Sequence, residues 1–102
     1  MNIKIFKSND TEFEERYCII DTDNEEYMIA FNKSTNEIYV SPNYLYICEP
    51  FFKQISIFEF FANNDAQEFI NNIKIPHGDF REKEMKQFKD KFIKFIQKNL
   101  YD

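Results

Sequence analysis

The chain has 102 residues, enough for one hydrophobic core without disulfides or metal. With 43% hydrophobic and 30% charged residues it has the composition of a folded domain and not of a disordered tail. The net charge of −5 sits in the first half, where residues 1–50 hold ten acidic and four basic side chains, against eight and nine in residues 51–102. An acidic surface of that kind disfavours nucleic acid and steers basic partners.

The opening "MNIKIFKSND" lacks the charged, apolar and small-residue segments of a secretory leader. It reads as a strand near residues 2–7, with Ile3 and Ile5 alternating against Asn2 and Lys4 and with Phe6 breaking the pattern. "SNDTEFEER" is ambiguous. Thr11 and Glu14 have capping-box spacing, and a loop or a single helical turn is expected there. Three more strands are expected near 16–21, 26–32 and 36–41, split by "TDNE" and "KSTN" turns. The chain has one glycine, so Asn and Asp must supply most positive-φ positions.

Two four-residue loops would place Ile20 opposite Tyr27, Cys18 opposite Ile29, and Phe31 opposite Ile38. Cys18, Ile20, Tyr27, Ile29, Phe31, Ile38 and Val40 would then form the buried face. Tyr17, Ile19, Asp21, Glu26, Met28, Glu37 and Tyr39 would form the other, a mixture of rings and carboxylates.

"SPNYLYICEP" is bracketed by Pro42 and Pro50 and suits an edge strand or an extended connector. Its apolar run at 44–48 falls far short of the roughly 20 residues of a membrane span. Cys18 and Cys48 stand alone, as reduced thiols of a cytoplasmic protein would.

Three capping boxes follow: Ser56 with Glu59, Asp65 with Glu68, and Asp79 with Glu82. They predict helices near 57–63, 66–73 and 80–100. In the first, Ile57, Phe60 and Phe61 share a face while Phe58 points elsewhere; Phe51 and Phe52 precede the cap and could staple it. In the last, Met85, Phe88, Phe92, Phe95, Ile96 and Leu100 fall within about 140° of the helical wheel. Lys83, Lys86, Lys91, Lys94 and Lys98 lie outside that stripe. The fold class expected is a single α+β domain over residues 1–102, an antiparallel sheet of three to four strands under C-terminal helices.

Chemistry-bearing motifs are scarce. His77 is the only histidine and has no nucleophile elbow to serve. Asp21, Asp23 and Glu25 alternate as cation ligands do, but Glu26 stands where an EF-hand loop needs glycine. Glu82, Glu84 and Lys86 lack the strand setting of a nuclease site, and no glycine-rich loop exists to cradle phosphate. No enzyme, cofactor or metal is therefore expected. Residues 86–98 carry five lysines against Asp90, which raises nucleic-acid binding as an alternative. The favoured expectation is a small acidic inhibitor of a basic protein partner, most concretely a toxin-neutralising immunity protein. Asp21, Asp23, Glu25 and Glu26 would be its charged element, with Tyr17, Tyr39, Tyr44 and Tyr46 as aromatic anchors. A phage-encoded inhibitor of a nucleic-acid-binding defence enzyme would use the same carboxylates as phosphate mimics.

Overall fold

A computed structural model of the chain describes residues 1–8, 15–43 and 52–101. Its strands are β1 (Ile3–Ser8), β2 (Arg16–Asp21), β3 (Tyr27–Asn32), β4 (Glu37–Pro42) and β5 (Phe52–Ile55). Its helices are α1 (Ile57–Asn63), α2 (Ala66–Asn71) and α3 (Glu82–Tyr101). The strands form one antiparallel sheet in the order β4-β3-β2-β1-β5, with the helices over one face. The expected α+β arrangement holds, with a fifth strand added.

The fifth strand arises where a staple was expected. Phe52 pairs with Ser8 across β1, and its ring packs on the face of the sheet away from the helices. Phe51, Thr11, Glu14 and the 44–50 segment lie outside the described residues.

Register follows one buried row. Val40 pairs with Ile29, Ile29 with Ile19, Ile19 with Ile5, and Ile5 with Ile55. All five are buried, so one line of branched side chains crosses the whole sheet beneath the helices. The expected pairing of Phe31 with Ile38 is present, but that of β2 with β3 is shifted by one residue. Cys18 meets Ala30 and Ile20 meets Met28, because the β2–β3 connection spans 22–26 and not 22–25. One residue of slip exchanges the two faces of β2. Tyr17 and Ile19 therefore join the helix-covered core, while Cys18 and Ile20 form a second buried cluster with Met28 on the reverse face. Phe6 packs on that second cluster, which accounts for its departure from alternation in β1.

Two of the three expected N-caps form. Glu59 N donates to Ser56 Oγ at 3.0 Å and Glu68 N to Asp65 Oδ1 at 2.8 Å. The third does not: Asp79 turns its carboxylate to Arg81 N and to the Arg81 guanidinium, at 2.8 to 3.0 Å. The long helix accordingly begins at Glu82 and not at residue 80. α2 ends at Asn71, short of the expected 73, because Lys74 leaves to bridge β4. Lys74 N donates to Ile38 O at 2.8 Å and Val40 N to Lys74 O at 3.0 Å, which covers part of the β4 edge.

Phe60 is the hub of the aromatic core. Its ring lies 4.8 Å from Phe61, 5.0 Å from Tyr17, 5.2 Å from Phe69 and 6.2 Å from Phe31, all edge-on. Phe58 is left outside at 66% exposure, as its wheel position predicts, and Phe80 is more open still at 92%. In α3, Met85, Phe88, Phe92 and Ile96 are buried, and Phe95 and Leu100 pack against the same core. Asn36 takes the positive φ of the β3–β4 turn at 57°, the role that scarce glycine leaves to asparagine.

Candidate partner-binding site

The β2–β3 turn is held from beneath by Asp21. Its Oδ1 accepts from Asn2 N at 3.1 Å and from Asp23 N at 2.9 Å, and the residue is only 6% exposed. Asp21 is thus a structural cap and not the surface charge that its sequence position suggested. Thr22 N donates to Asn2 O at 2.8 Å, Glu26 N to Asn24 Oδ1 at 3.2 Å, and Asn43 N to Glu26 O at 3.0 Å. These bonds anchor the turn to β1 on one side and to the end of β4 on the other. They leave the side chains of Asp23, Glu25 and Glu26 exposed. Asp23 lies 3.4 Å from the Met1 amino nitrogen. Among the described residues, neither Glu25 nor Glu26 has an ion-pair partner.

A fourth carboxylate belongs to the same end of the sheet. Tyr27 begins β3 directly after the turn, and its hydroxyl donates to Glu84 Oε2 in the first turn of α3. The Tyr27 pKa is pushed up to about 12, first by that hydrogen bond, then by burial, with the charges of Glu84 and Glu26 adding to it. Only the Arg81 charge acts in the opposite sense. Arg81 is engaged by Asp79, whose carboxyl it pulls down to about 2 through side-chain and backbone hydrogen bonds. The sequence gives little warning of Glu84. The available signal is that Met85 and Phe88 turn the start of α3 onto the sheet beside Tyr27.

The expected aromatic anchors separate. Tyr17 is 3% exposed in the core, stacked on Phe31 at 5.6 Å, so it presents no ring to a partner; the shifted β2 register put it there. Its hydroxyl donates to Glu15, and burial first, then Glu15, pushes its pKa well above the usual tyrosine value. Lys7 holds the same Glu15 at 3.2 Å. Tyr39 keeps its expected place on the reverse face, half-buried, with the Lys74 ammonium 5.8 Å from its ring centroid. Tyr44 and Tyr46 lie outside the described residues.

The other candidate chemistries gain no support. No cluster of metal-ligating side chains is present among the described residues. His77 is almost fully exposed, with its Nδ1 3.6 Å from Glu82 Oε1. On α3, Lys83, Lys86, Lys91, Lys94 and Lys98 face outward, but Phe88, Phe92 and Phe95 face the core and offer no platform for bases. Among the described residues no helix is long and apolar enough to cross a membrane. The chain matches no protein-family model, no curated protein and no solved structure.

Proposed function

We propose that the chain is a small acidic binding module that captures and blocks a basic protein partner. A toxin-neutralising immunity protein is its most concrete form, and an inhibitor of a nucleic-acid-binding defence enzyme is a second form of the same chemistry. The observation that carries it is the β2–β3 turn: exposed Asp23, Glu25 and Glu26 on a backbone fixed by buried Asp21, with Glu84 beside them. A fixed turn pays little conformational entropy on docking. Glu25 and Glu26, which have no ion-pair partner among the described residues, project their field into solvent, where it raises encounter rate more than final affinity. Tyr39 is the remaining described aromatic of the proposed surface.

The test is kinetic. Once affinity capture and mass spectrometry name a partner, its association is compared for the original chain and for a Asp23→Lys, Glu25→Lys, Glu26→Lys variant. Asp21 stays untouched, since its loss would disturb the fold. The expected result is a fall in on-rate of about 10-fold or more near 50 mM salt, shrinking as salt rises. Equal on-rates at low salt would remove the acidic turn from the mechanism.

A further inference from the structure

A cleft of different character lies at the opposite end of β3. It opens between the β3–β4 turn and the α1–α2 junction, over Phe31 and Phe69, and has a volume of about 180 Å³. Its rim includes Asn63, Asn64 and Asn72 together with Asp65 and Glu68. Asn36 of the β3–β4 turn also lines it, and Asn63, Asn64 and Asn72 each commit one of their two amide N–H groups to a helix carbonyl. Asn63 Nδ2 donates to Glu59 O at 3.2 Å, Asn64 Nδ2 to Phe60 O at 2.9 Å, and Asn72 Nδ2 to Glu68 O at 2.7 Å. A carbonyl can only accept, so each amide has its orientation fixed and its Oδ1 left as an acceptor. The two carboxylates add acceptor oxygens, of which Asp65 Oδ1 already caps α2. Among the described residues, no lysine or arginine lines the cleft. The floor is apolar, with the Phe31 and Phe69 rings 5.4 Å apart and edge-on.

We propose that this cleft receives the guanidinium group of an arginine side chain presented by a protein partner. Three oriented amide oxygens and two carboxylates, with no cationic side chain among the lining residues, suit a positively charged group that only donates. Guanidinium spreads five N–H donors over a plane and is weakly hydrated, so it tolerates an apolar floor; an ammonium places three donors on one strongly hydrated point. The cleft is smaller than the roughly 300–1,000 Å³ that whole small-molecule ligands occupy, which favours one side-chain head over a free metabolite. The inference does not rest on the acidic turn, which lies at the other end of the strand, and it stands or falls separately.

Amide NMR of the full chain tests it, with N-acetyl-argininamide, N-acetyl-lysinamide and free arginine as probes. The expected result is saturable shifts at the side-chain amides of Asn63, Asn64 and Asn72 with the arginine derivative, and binding about fivefold or more weaker for the lysine derivative. A variant carrying Asp65→Asn and Glu68→Gln keeps an α2 cap, because asparagine caps as well as aspartate. Its spectrum should match the original away from the cleft, and its affinity for the arginine derivative should fall about tenfold or more. Absence of saturable shifts at the three asparagines, equal binding of both derivatives, or undiminished binding by the folded variant would each overturn the proposal. Tighter binding of free arginine than of the capped derivative would overturn its assignment to a protein side chain.

Discussion

Tyr27→Phe removes one hydroxyl and keeps the ring that packs beside Phe88. That hydroxyl links β3 to Glu84 at the start of α3, and its pKa is raised to about 12. In the unfolded chain the same group titrates near about 10. Below pH 10 both states keep the proton and the stabilisation is complete. Between 10 and 12 the unfolded state binds fewer protons, so stability falls as pH rises through the folded value. A full unit would be worth about 1.4 kcal/mol, but Glu84 is exposed and solvent screening leaves about 1 kcal/mol to be lost across the window, about half of it by pH 11. At neutral pH the variant loses a hydrogen bond to a charged group, but exposed Glu84 regains water, which puts the cost at about 1–2 kcal/mol. The stability advantage of the original chain over the variant should therefore shrink by about 0.5 kcal/mol between pH 8 and pH 11. Urea unfolding followed by circular dichroism at pH 8, 9.5 and 11 measures the difference. Contributions common to both proteins cancel in the difference. An advantage at pH 11 equal to that at pH 8 would refute the link between Tyr27 and Glu84.

Phe60→Leu keeps most of the core volume but removes one partner from four edge-on ring pairs, and should cost about 2–3 kcal/mol in urea unfolding; a loss near zero would mean that the rings do not meet as described. Asp21→Ala leaves the Asn2 and Asp23 amides without their acceptor and should lower stability by about 1–3 kcal/mol, with Asp21→Asn milder because it keeps one oxygen. Gly78→Ala places a side chain at φ 80° where no atom lies within 4 Å of the new Cβ, so backbone strain alone should cost about 1–2 kcal/mol. Asp79 contributes its stabilisation above the ordinary aspartate pKa and loses it as pH falls toward about 2. Arg81→Gln should return the Asp79 titration, followed by carboxyl NMR, to the usual aspartate range.

The helices were legible in place and in face, with two of their ends off by two residues. Ser56 and Asp65 announce α1 and α2, because a cap is made within four residues and needs nothing from the rest of the chain. The α3 stripe fixes which side of that helix is buried, and the wheel position of Phe58 foretells its exposure. Among the described residues, cap spacing misled only at Asp79, where Arg81 competed for the carboxylate.

For the sheet, the sequence by itself determined where the first four strands run, through short β-branched and aromatic runs between turn residues. It did not determine how β2 faces. "YCII" is apolar at every position, and all four residues are buried, so alternation carries no information there; a strand buried on both sides satisfies either register. Tertiary structure settled it by aligning Ile19 with Ile5 and Ile29, and that one step took Tyr17 indoors and turned Asp21 into a cap. The fifth strand, the Glu84 partnership with Tyr27 and the asparagine-rimmed cleft likewise exist only between segments distant in sequence. Local spacing specifies hydrogen bonds within a turn of helix; contacts across the sheet depend on which surfaces the folded chain has left to cover.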